Sequence, residues 1–277
     1  MTNAPFLLAA DIDGTLLGDE TGEGLLKKFV EQSAHLTLAY ITGRYCWSVL
    51  ELVELGRLPR PHFICGDVGT EILDLDDPSN RLGKQYIAQV SPGWDLAEIY
   101  RLGVGEGICP QEFDLGQPRF QAGFYWDARP ATLGAFNERL SGLEQVYIQA
   151  SYDTYIDVLP VPLGKGNAVR FLQQHLGIPS QNVVVAGDSG NDRQMFETGF
   201  KGIVPANALD ELKAIACQPW HYHSSFPAAR GVLDGLRHFG FVNGAHAEIN
   251  HESHEQAEWA NKTAKNSCAS PCSTHSC

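Results

Sequence analysis

Short apolar runs alternate with amphipathic segments at the beginning of the chain and again after residue 160. The runs contain no Asp, Glu, Lys or Arg and have the length of strands that are buried on both faces of a sheet. They cover residues 6–10, 36–41, 62–65, 182–186 and 202–204. Apolar residues recur at helical spacing in residues 25–30, 49–55, 165–176, 209–215 and 231–238. This alternation predicts an α/β fold with a Rossmann-like parallel sheet core and helices on both faces. We expect Trp47 and the apolar residues after it to lie in the core.

The pattern changes between residues 84 and 160. Here Gly and Pro residues separate segments of alternating character at residues 119–126 and 147–151, and residues 131–140 have the spacing of a helix. We therefore expect an α+β domain inserted into the α/β domain. The predicted divisions are a core domain at residues 1–83 and 161–242, and the inserted domain at residues 84–160.

Beyond residue 242 the chain is rich in His, Glu, Ala, Asn, Ser and Cys and has no apolar periodicity. This composition predicts a disordered tail at residues 243–277. A metal site is the weaker interpretation of the tail, suggested by the pair His251 and His254 and the pair Cys268 and Cys272. The spacings are irregular, and no predicted strand or helix frames these residues.

The composition is that of an ordinary globular protein: 277 residues, of which 43% are hydrophobic and 19% charged. A net charge of −13 argues against a nucleic-acid binder, which normally carries a basic face. It does not exclude a phosphorylated substrate, because a metal ion and a few local cations reverse the sign of one cleft. The chain begins without a basic secretory segment, and no apolar run reaches the roughly 18 residues of a membrane span. Cysteines that stand singly before the tail resemble reduced core thiols, so we expect a cytoplasmic protein without a membrane partner.

Two carboxylates follow the first apolar run. Asp11 and Asp13 are separated by one residue, so they fall on the same side of an extended chain. Gly14 then permits a sharp turn. Crowded carboxylates repel each other, so the pair requires a metal ion, a cation or a shared proton.

Polar groups follow the other predicted strands as well. Their positions are Thr42, the segment 69–71 that ends on Glu71, and the segment 188–192, while Lys165 begins a helix. Because the carboxyl ends of parallel strands share one edge of a sheet, we expect these groups to converge. Carboxylates, a hydroxyl, an ammonium group and turn amides suit phosphoryl transfer assisted by Mg²⁺. A carboxylate that attacks phosphorus gives an aspartyl-phosphate.

These motifs resemble those of the haloacid dehalogenase superfamily of phosphatases. The first is Asp11-Ile12-Asp13-Gly14-Thr15, the second is Thr42, the third is Lys165, and the fourth is the stretch "GDSGND" at residues 187–192. The inserted domain is similar to the large cap of the branch that acts on sugar phosphates. Within it the chain most resembles the sucrose-phosphate phosphatases over residues 6–242, through "YITGR", "GDVGTEI" and "IDVLP" followed by "GKGNA".

The resemblance implies a role for each matching position. Asp11 is the nucleophile, and Asp13 is the general acid that protonates the departing sugar oxygen and then the base that activates water. Mg²⁺ is held by the side chains of Asp11 and Asp188 and by the backbone carbonyl of Asp13, with Asp192 in support. The residues implied in phosphate binding are Thr42, Gly43, Lys165 and Asn191. The implied partners are a small-molecule sugar phosphate and the sugar-phosphate synthase of the same pathway.

One departure from the family concerns the sugar. Where sucrose-phosphate phosphatases carry Lys, Ser and Tyr on a cap strand, this chain has Gln121, Gly123 and Phe124. Losing hydrogen-bond donors changes which hydroxyls are recognised. Sucrose 6-phosphate is therefore the first expected substrate, and mannosylfructose phosphate or another sugar phosphate is the alternative. Glu71 and Gln121 are the candidate sugar contacts.

Other functions are compatible with parts of the pattern. A receiver domain also clusters acids, Thr and Lys around a phosphorylated Asp, but it is about half this length and has no cap. A P-loop is excluded at Gly164, because the Lys is followed by Gly and not by Ser or Thr. A sugar-phosphate mutase uses similar chemistry and remains open. A catalytically silent sensor is disfavoured because both Asp11 and Asp13 are present.

Overall fold

The apolar runs form the middle of a seven-stranded sheet in a computed structural model that describes residues 4–112, 117–126, 129–143, 145–151 and 154–242. The strands of these residues are β1 (Phe6–Ala10), β2 (Leu36–Ile41), β3 (Phe63–Gly66), β4 (Glu71–Asp74), β5 (Cys109–Pro110), β6 (Ala122–Tyr125), β7 (Val146–Ser151), β8 (Tyr155–Pro160), β9 (Val183–Ala186), β10 (Lys201–Val204) and β11 (His221–His223). The helices are α1 (Glu20–Gln32), α2 (Cys46–Glu54), α3 (Arg81–Ile87), α4 (Leu96–Gly105), α5 (Pro130–Leu140), α6 (Lys165–Leu176), α7 (Arg193–Phe196), α8 (Asp210–Lys213) and α9 (Ala228–His238). The predicted tail at residues 243–277 lies outside the described residues.

Strand β1 lies at the centre of the large sheet, whose order is β11-β10-β9-β1-β2-β3-β4. All neighbouring strands are parallel except β3 and β4. Leu8 of β1 pairs with Leu38 on one side and with Val184 on the other. Every residue of β1 is buried, because the sheet is covered on both faces.

Helices cover each face of this sheet. Alternate residues of β1, such as Leu7 and Ala9, pack with α3, α6, α7 and α8 in one apolar core. On the other face α9 packs against β10, and it comes so close that a Cβ on Gly235 would overlap the Ile203 side chain. The predicted fold class is therefore confirmed.

A second sheet, of order β5-β6-β8-β7, is antiparallel throughout. One of its faces is apolar and carries residues such as Phe124 and Ile156, which pack with Ile99 of α4 and Phe136 of α5. Strand alternation places Gln149 and Asp157 on the opposite face, where they pair across β7 and β8. Residues up to Phe241 form one compact unit, so the division into core and inserted domains stays a prediction.

Several elements differ from the sequence pattern. Strands β4 and β11 and helices α3 and α4 were not predicted, because each is short or interrupted by glycine or polar residues. Trp47 and the apolar residues after it were expected in the core, but Trp47 is 48% exposed and Leu55 is 69% exposed. That expectation was wrong because α2 turns Cys46 and Val49 inward and leaves Trp47 on the other side of the helix. In the described part of the chain, no helix has both the length and the hydropathy needed to cross a bilayer.

Candidate active site

The first carboxylate stands where β1 leaves the sheet. The Asp11 amide donates to the Ala186 carbonyl at 2.9 Å, so Asp11 continues the pairing of β1 with β9 and its backbone is held by the sheet. Gly14 follows with φ +74°, and a Cβ at this position would overlap the Asp188 carboxylate. The turn therefore requires glycine both for its backbone conformation and for the space that Asp188 occupies.

Lys165 is the cation of the site. It is the first residue of α6, it is completely buried, and its Nζ donates to Asp11 Oδ1 at 2.8 Å, Asn191 Oδ1 at 2.7 Å and Asp192 Oδ1 at 2.6 Å. Burial alone would lower the pKa of Lys165, but the two carboxylates outweigh burial and raise that pKa. Lys165 is therefore a permanent ammonium group whose three donors are all engaged.

The backbone under Lys165 is positioned by a close approach of two loops. The Gly164 amide donates to the Gly69 carbonyl at 3.1 Å, and Tyr86 Oη donates to the carbonyls of Gly69 and Gly164 at 3.0 and 3.2 Å. Gly69 has φ +76°, and a Cβ there would overlap the backbone of Lys165. Lys165 can therefore occupy its position only because Gly69 has no side chain.

The loop after β9 supplies the remaining acids. Asp192 is fully buried, and its Oδ2 accepts from the backbone amides of Asp188 at 2.9 Å and Ser189 at 3.2 Å. Thr15 Oγ1 donates to Asp188 Oδ1 at 3.2 Å. Asp192 therefore holds the loop and Lys165 together. Its role in support of a metal ion stays a prediction.

The three carboxylates near Lys165, when ionised, carry more negative charge than this one ammonium group balances. Asp11, Asp188 and Asp192 each have an oxygen within 4.8 Å of the others. Burial, followed by repulsion from Asp192 and Asp188, raises the pKa of Asp11 to about 8 despite the opposing effect of Lys165. Burial and repulsion from Asp192 likewise raise the pKa of Asp188 to about 7. Across the described ranges, no residue donates a hydrogen bond to Asp11 Oδ2 or Asp188 Oδ2. This excess of charge and these available oxygens fit a hard divalent cation.

Asp13 lies apart from this cluster. Its side chain is 52% exposed, and Arg44 binds both of its oxygens, from Nε and from a terminal nitrogen, at 2.7 Å each. The sequence interpretation gave Arg44 no role. The signal that was available is its position directly after Thr42 and Gly43, at the end of β2.

Residues predicted to bind phosphate come together at the same edge of the sheet. Thr42 is buried, and its Oγ1 accepts from the Arg44 amide at 3.1 Å. Gly43 is exposed, and a Cβ built on it would lie 4.0 Å from Asn191 Nδ2. Asn191 in turn contacts Lys165. The edge thus combines a buried carboxylate, an ammonium group and an exposed glycine.

A sequence model of the sucrose-6F-phosphate phosphohydrolase family matches residues 4–240. The chain belongs to this family. It is a phosphatase of the haloacid dehalogenase superfamily and hydrolyses sugar phosphates, as its fold, its four motifs and its relatives agree.

Two relatives resemble this phosphohydrolase along nearly their whole length. Mannosylfructose-phosphate phosphatase of Agrobacterium fabrum is 32% identical over 243 residues, which cover 84% of this chain and 96% of the relative. The sucrose-phosphatase of Synechocystis sp. PCC6803, solved with sucrose and phosphate, superposes with a TM-score of 0.78 at 30% identity, covering 87% of this chain and 100% of that one. Glucosylglycerol-phosphate synthase of Pseudomonas anguilliseptica is 30% identical over 242 residues, which cover 85% of this chain and 31% of the synthase.

In this phosphohydrolase the second sheet also contributes to the site. Gln121 is buried, and its Nε2 donates to Asp157 Oδ1 at 2.7 Å. Burial raises the pKa of Asp157 to about 6, against the hydrogen bond from Gln121 and the charge of Lys165. Gln149 Nε2 donates to the Asn191 carbonyl at 3.0 Å. Sequence analysis missed Asp157 and Gln149, since nothing in an alternating strand pattern shows which loop its polar face meets.

The two candidate sugar contacts lie in different places. Gln121 belongs to the polar face of the second sheet, next to Asp157. Glu71 begins β4 on the edge of the large sheet, is exposed, and lines a cavity that Gln121 does not line.

Proposed function

We propose that this enzyme hydrolyses a disaccharide phosphate, first of all sucrose 6-phosphate to sucrose and phosphate, through an aspartyl-phosphate on Asp11. The observation that carries the chemistry is the buried contact of Asp11 with Lys165 at the carboxyl edge of the sheet. The family match and the name of the Synechocystis relative support the sugar.

Mannosylfructose phosphate is the second candidate substrate. The Agrobacterium relative is named for that activity and aligns over 96% of its length. In addition, Gln121, Gly123 and Phe124 replace the Lys, Ser and Tyr of sucrose-phosphate phosphatases. Both substrates present a phosphate on a two-ring sugar, so the chemistry at Asp11 is the same for each.

In the first step an Asp11 oxygen forms a bond to phosphorus while the bond from phosphorus to the sugar oxygen breaks. Asp13 gives its proton to that departing oxygen. In the second step water attacks phosphorus, Asp13 accepts the proton of the water, and the Asp11–phosphorus bond breaks to release phosphate. Before the first step, the Asp13 carboxyl must separate from Arg44, which binds both of its oxygens in this structure.

Lys165 orients Asp11 and holds the phosphate with Thr42, Gly43 and Asn191. All three donors of Lys165 are engaged, and only Asn191 among its partners is not an acid. We infer that the contact with Asn191 is the one exchanged for a phosphate oxygen, because releasing a carboxylate would cost a charge pair.

The side chains of Asp11 and Asp188 and the backbone carbonyl of Asp13 would hold Mg²⁺. These are oxygen donors, and the carboxylate cluster has more negative charge than Lys165 balances. When bound, Mg²⁺ neutralises charge on the phosphate oxygens and so reduces their repulsion of Asp11.

Sugar selectivity would come from the cap side. Gln121 Nε2 is held by Asp157, so its Oε1 faces a defined direction and can accept a sugar hydroxyl. Glu71 offers an exposed carboxylate from the core side. As upstream partner we propose a sugar-phosphate synthase that produces the substrate. The likeness of this chain to part of the Pseudomonas synthase supports that pairing.

The test is release of phosphate from sucrose 6-phosphate, mannosylfructose phosphate and trehalose 6-phosphate by the wild type, Asp11→Asn and Asp13→Asn. We expect one of the first two substrates to be preferred, and both variants to lose at least about a thousandfold in kcat. Activity that survives Asp11→Asn contradicts the mechanism. Movement of the phosphate along the sugar without its release indicates a mutase, and binding without turnover by the wild type indicates a sensor.

A further inference from the structure

Strand β7 of the second sheet lies against two loops of the catalytic edge, the loop before α6 and the loop after β9. Near the start of the strand, a Cβ on Gly164 would overlap the Tyr147 hydroxyl. Near its end, a Cβ on Gly190 would lie 3.0 Å from the Ala150 carbonyl oxygen. Both loops can approach β7 this closely only because each has a glycine at the contact.

Gln149 lies between these two contacts along β7 and is only 6% exposed. Its Nε2 donates to the Asn191 carbonyl at 3.0 Å, and the two residues are 42 positions apart in the chain. Strand alternation places Gln149 on the same face as Tyr147, the face that meets the loops. A buried amide loses stability when its hydrogen bond is missing, so this contact holds the Asn191 backbone against the second sheet.

The Asn191 side chain lies between the catalytic cation and the exposed part of the edge. Its Oδ1 accepts from Lys165 Nζ at 2.7 Å and from Ser189 Oγ at 3.2 Å. Its Nδ2 lies 4.0 Å from the position that a Cβ on Gly43 would take. Among the residues that the structure describes, none accepts a hydrogen bond from this Nδ2. An amide donor without an acceptor beside an exposed glycine is suited to a phosphate oxygen.

Two hydrogen bonds set the direction of this amide donor. Lys165 binds the side-chain oxygen of Asn191, and Gln149 binds its backbone carbonyl. When a phosphate oxygen replaces Asn191 on Lys165, as proposed above, the first of these bonds is given up. The bond from Gln149 does not compete with phosphate, so it continues to hold the Asn191 backbone while the amide binds its ligand.

Another glutamine of the inserted segment makes the same kind of bond away from the catalytic edge. Gln111 Nε2 donates to the Phe124 carbonyl at 3.1 Å, next to the β5 and β6 pairing of the second sheet. Donor and acceptor are of the same type in the two bonds. They differ in the carbonyl that is held, which belongs to the second sheet for Gln111 and to the loop after β9 for Gln149. Gln111 is therefore a matched comparison for a purely structural role.

We propose that Gln149 is a positioning residue for phosphoryl transfer. By holding the Asn191 carbonyl it directs the Asn191 amide at the phosphate, so that the phosphate site depends on contact with the second sheet. This inference rests on the proposed function, because it requires Asn191 to bind phosphate. Gln149 acts on the phosphate and not on the sugar, so its effect is the same for every phosphate monoester.

Gln149→Met and Gln111→Met test the role by kinetics. Met is unbranched and of similar length, so it fills the space of Gln but donates no hydrogen bond. For Gln149→Met we expect kcat/KM to fall about tenfold for p-nitrophenyl phosphate and for the preferred sugar phosphate alike, the loss of about one hydrogen bond to a charged group. The inhibition constant of inorganic phosphate should rise by a similar factor, and Gln111→Met should stay within twofold in both measurements.

Three results would overturn the proposal. The first is an unchanged inhibition constant of inorganic phosphate in Gln149→Met. The second is an equal loss of activity in Gln111→Met, which would show that any lost bond of the second sheet has this effect. The third is a loss confined to the sugar phosphate, which would make Gln149 a sugar contact.

A double-mutant cycle shows whether Gln149 acts through Asn191. Asn191→Ala removes the amide but keeps the backbone carbonyl that Gln149 binds. In that background we expect Gln149→Met to lower kcat/KM for p-nitrophenyl phosphate by no more than about twofold, because the group that it positions is already absent. A further loss of the full factor would show that the two residues act independently, and the proposal would be wrong.

The same measurements separate this proposal from the proposed function. If no disaccharide phosphate is hydrolysed, the proposed substrate is wrong, but the cycle with p-nitrophenyl phosphate still supports or contradicts the role of Gln149. If Asn191→Ala lowers activity and Gln149→Met does not, the phosphate role of Asn191 stands and the positioning role fails. If Asn191→Ala retains full activity and full affinity for inorganic phosphate, both roles fail.

Discussion

At the scale of single residues, the site brings more negative than positive charge together in a buried place. Asp11, Asp188 and Asp192 are crowded within 4.8 Å, and Lys165 is the cation that contacts two of them directly. The raised pKa values of Asp11 and Asp188 show that this arrangement resists ionisation. An acid whose pKa is higher in the folded protein stabilises the fold below its unfolded pKa, and this stability is lost as pH rises through the folded value. The cluster therefore opposes folding increasingly up to about pH 8, the pKa of Asp11.

Replacing Lys165 should show how much its positive charge contributes to the stability of the fold. We expect Lys165→Met to lower the free energy of unfolding at pH 9, above the pKa of Asp11, by about 3–5 kcal/mol, because buried carboxylates lose their counter-charge. Urea unfolding followed by circular dichroism should show a smaller difference at pH 5, where Asp11 and Asp188 are protonated. Lys28→Met, an exposed lysine of α1, is the control. A loss that does not depend on pH would show that packing of the lysine stem, and not its charge, is what stabilises the site.

At the scale of elements, the sequence predicted best where the pattern is continuous. Strands β1 and β2 were placed at their observed bounds, since five or six apolar residues without a charge have few other uses. Strand β4 was missed because it begins with Glu71 and lies at the sheet edge, where one side needs no apolar residues. Trp47 was misplaced because periodicity alone does not distinguish an aromatic ring in the core from one that faces a cavity.

Gly69 is the last of three consecutive residues with a positive φ, Asp67, Val68 and Gly69, and it packs directly against the backbone of Lys165. We expect Gly69→Ala to reduce kcat at least about a hundredfold, since its Cβ would displace the Lys165 backbone and shift the ammonium group relative to Asp11. Phosphate release measures this effect. Gly24→Ala in α1 is the control, because a Cβ there meets nothing within 4 Å, and it should retain activity and gain up to about 1 kcal/mol in stability. Equal activity of the two variants would contradict the coupling.

Asp157 should respond to pH in a predictable direction. Its pKa is raised from 3.8 to about 6, so its buried charge destabilises the fold above pH 6 and is absent below pH 4. Asp157→Asn keeps an acceptor for Gln121 and should stabilise the protein at pH 7.5 by about 1–3 kcal/mol, with no gain at pH 4. Urea midpoints at the two pH values test this. A loss of stability at pH 7.5 would show that attraction to Lys165 outweighs burial.

At the scale of the whole molecule, the sequence predicted which charged residues converge at the edge of the sheet but not what surrounds them. Asp11, Lys165 and Asp188 could be assigned to one place because parallel strands end at one edge. The contacts of Asp13 with Arg44 and of Gln149 with the Asn191 carbonyl could not, since they depend on how loops and a second sheet settle against that edge. Local patterns contain no information on such distant packing.

Mg²⁺ should stabilise the whole protein through this edge. Binding at about one hundred times the dissociation constant contributes about 2.7 kcal/mol, so the thermal midpoint should rise by about 5–10 °C in a chain of this size. Differential scanning fluorimetry with and without a chelator measures the shift, and Asp188→Asn should abolish most of it. A shift of the same size in that variant would place the ion elsewhere.

The Lys165 ammonium and the Asp11 carboxylate are 154 positions apart in the chain, and the Thr15 hydroxyl is 173 positions from its partner on Asp188. Contacts between such distant residues form late, because the loops between them must close first. The return of phosphatase activity after dilution from denaturant therefore marks the joining of the two ends of the core. Helices should reappear earlier, so the interval between recovered circular dichroism and recovered turnover measures how long the inserted segment delays this joining.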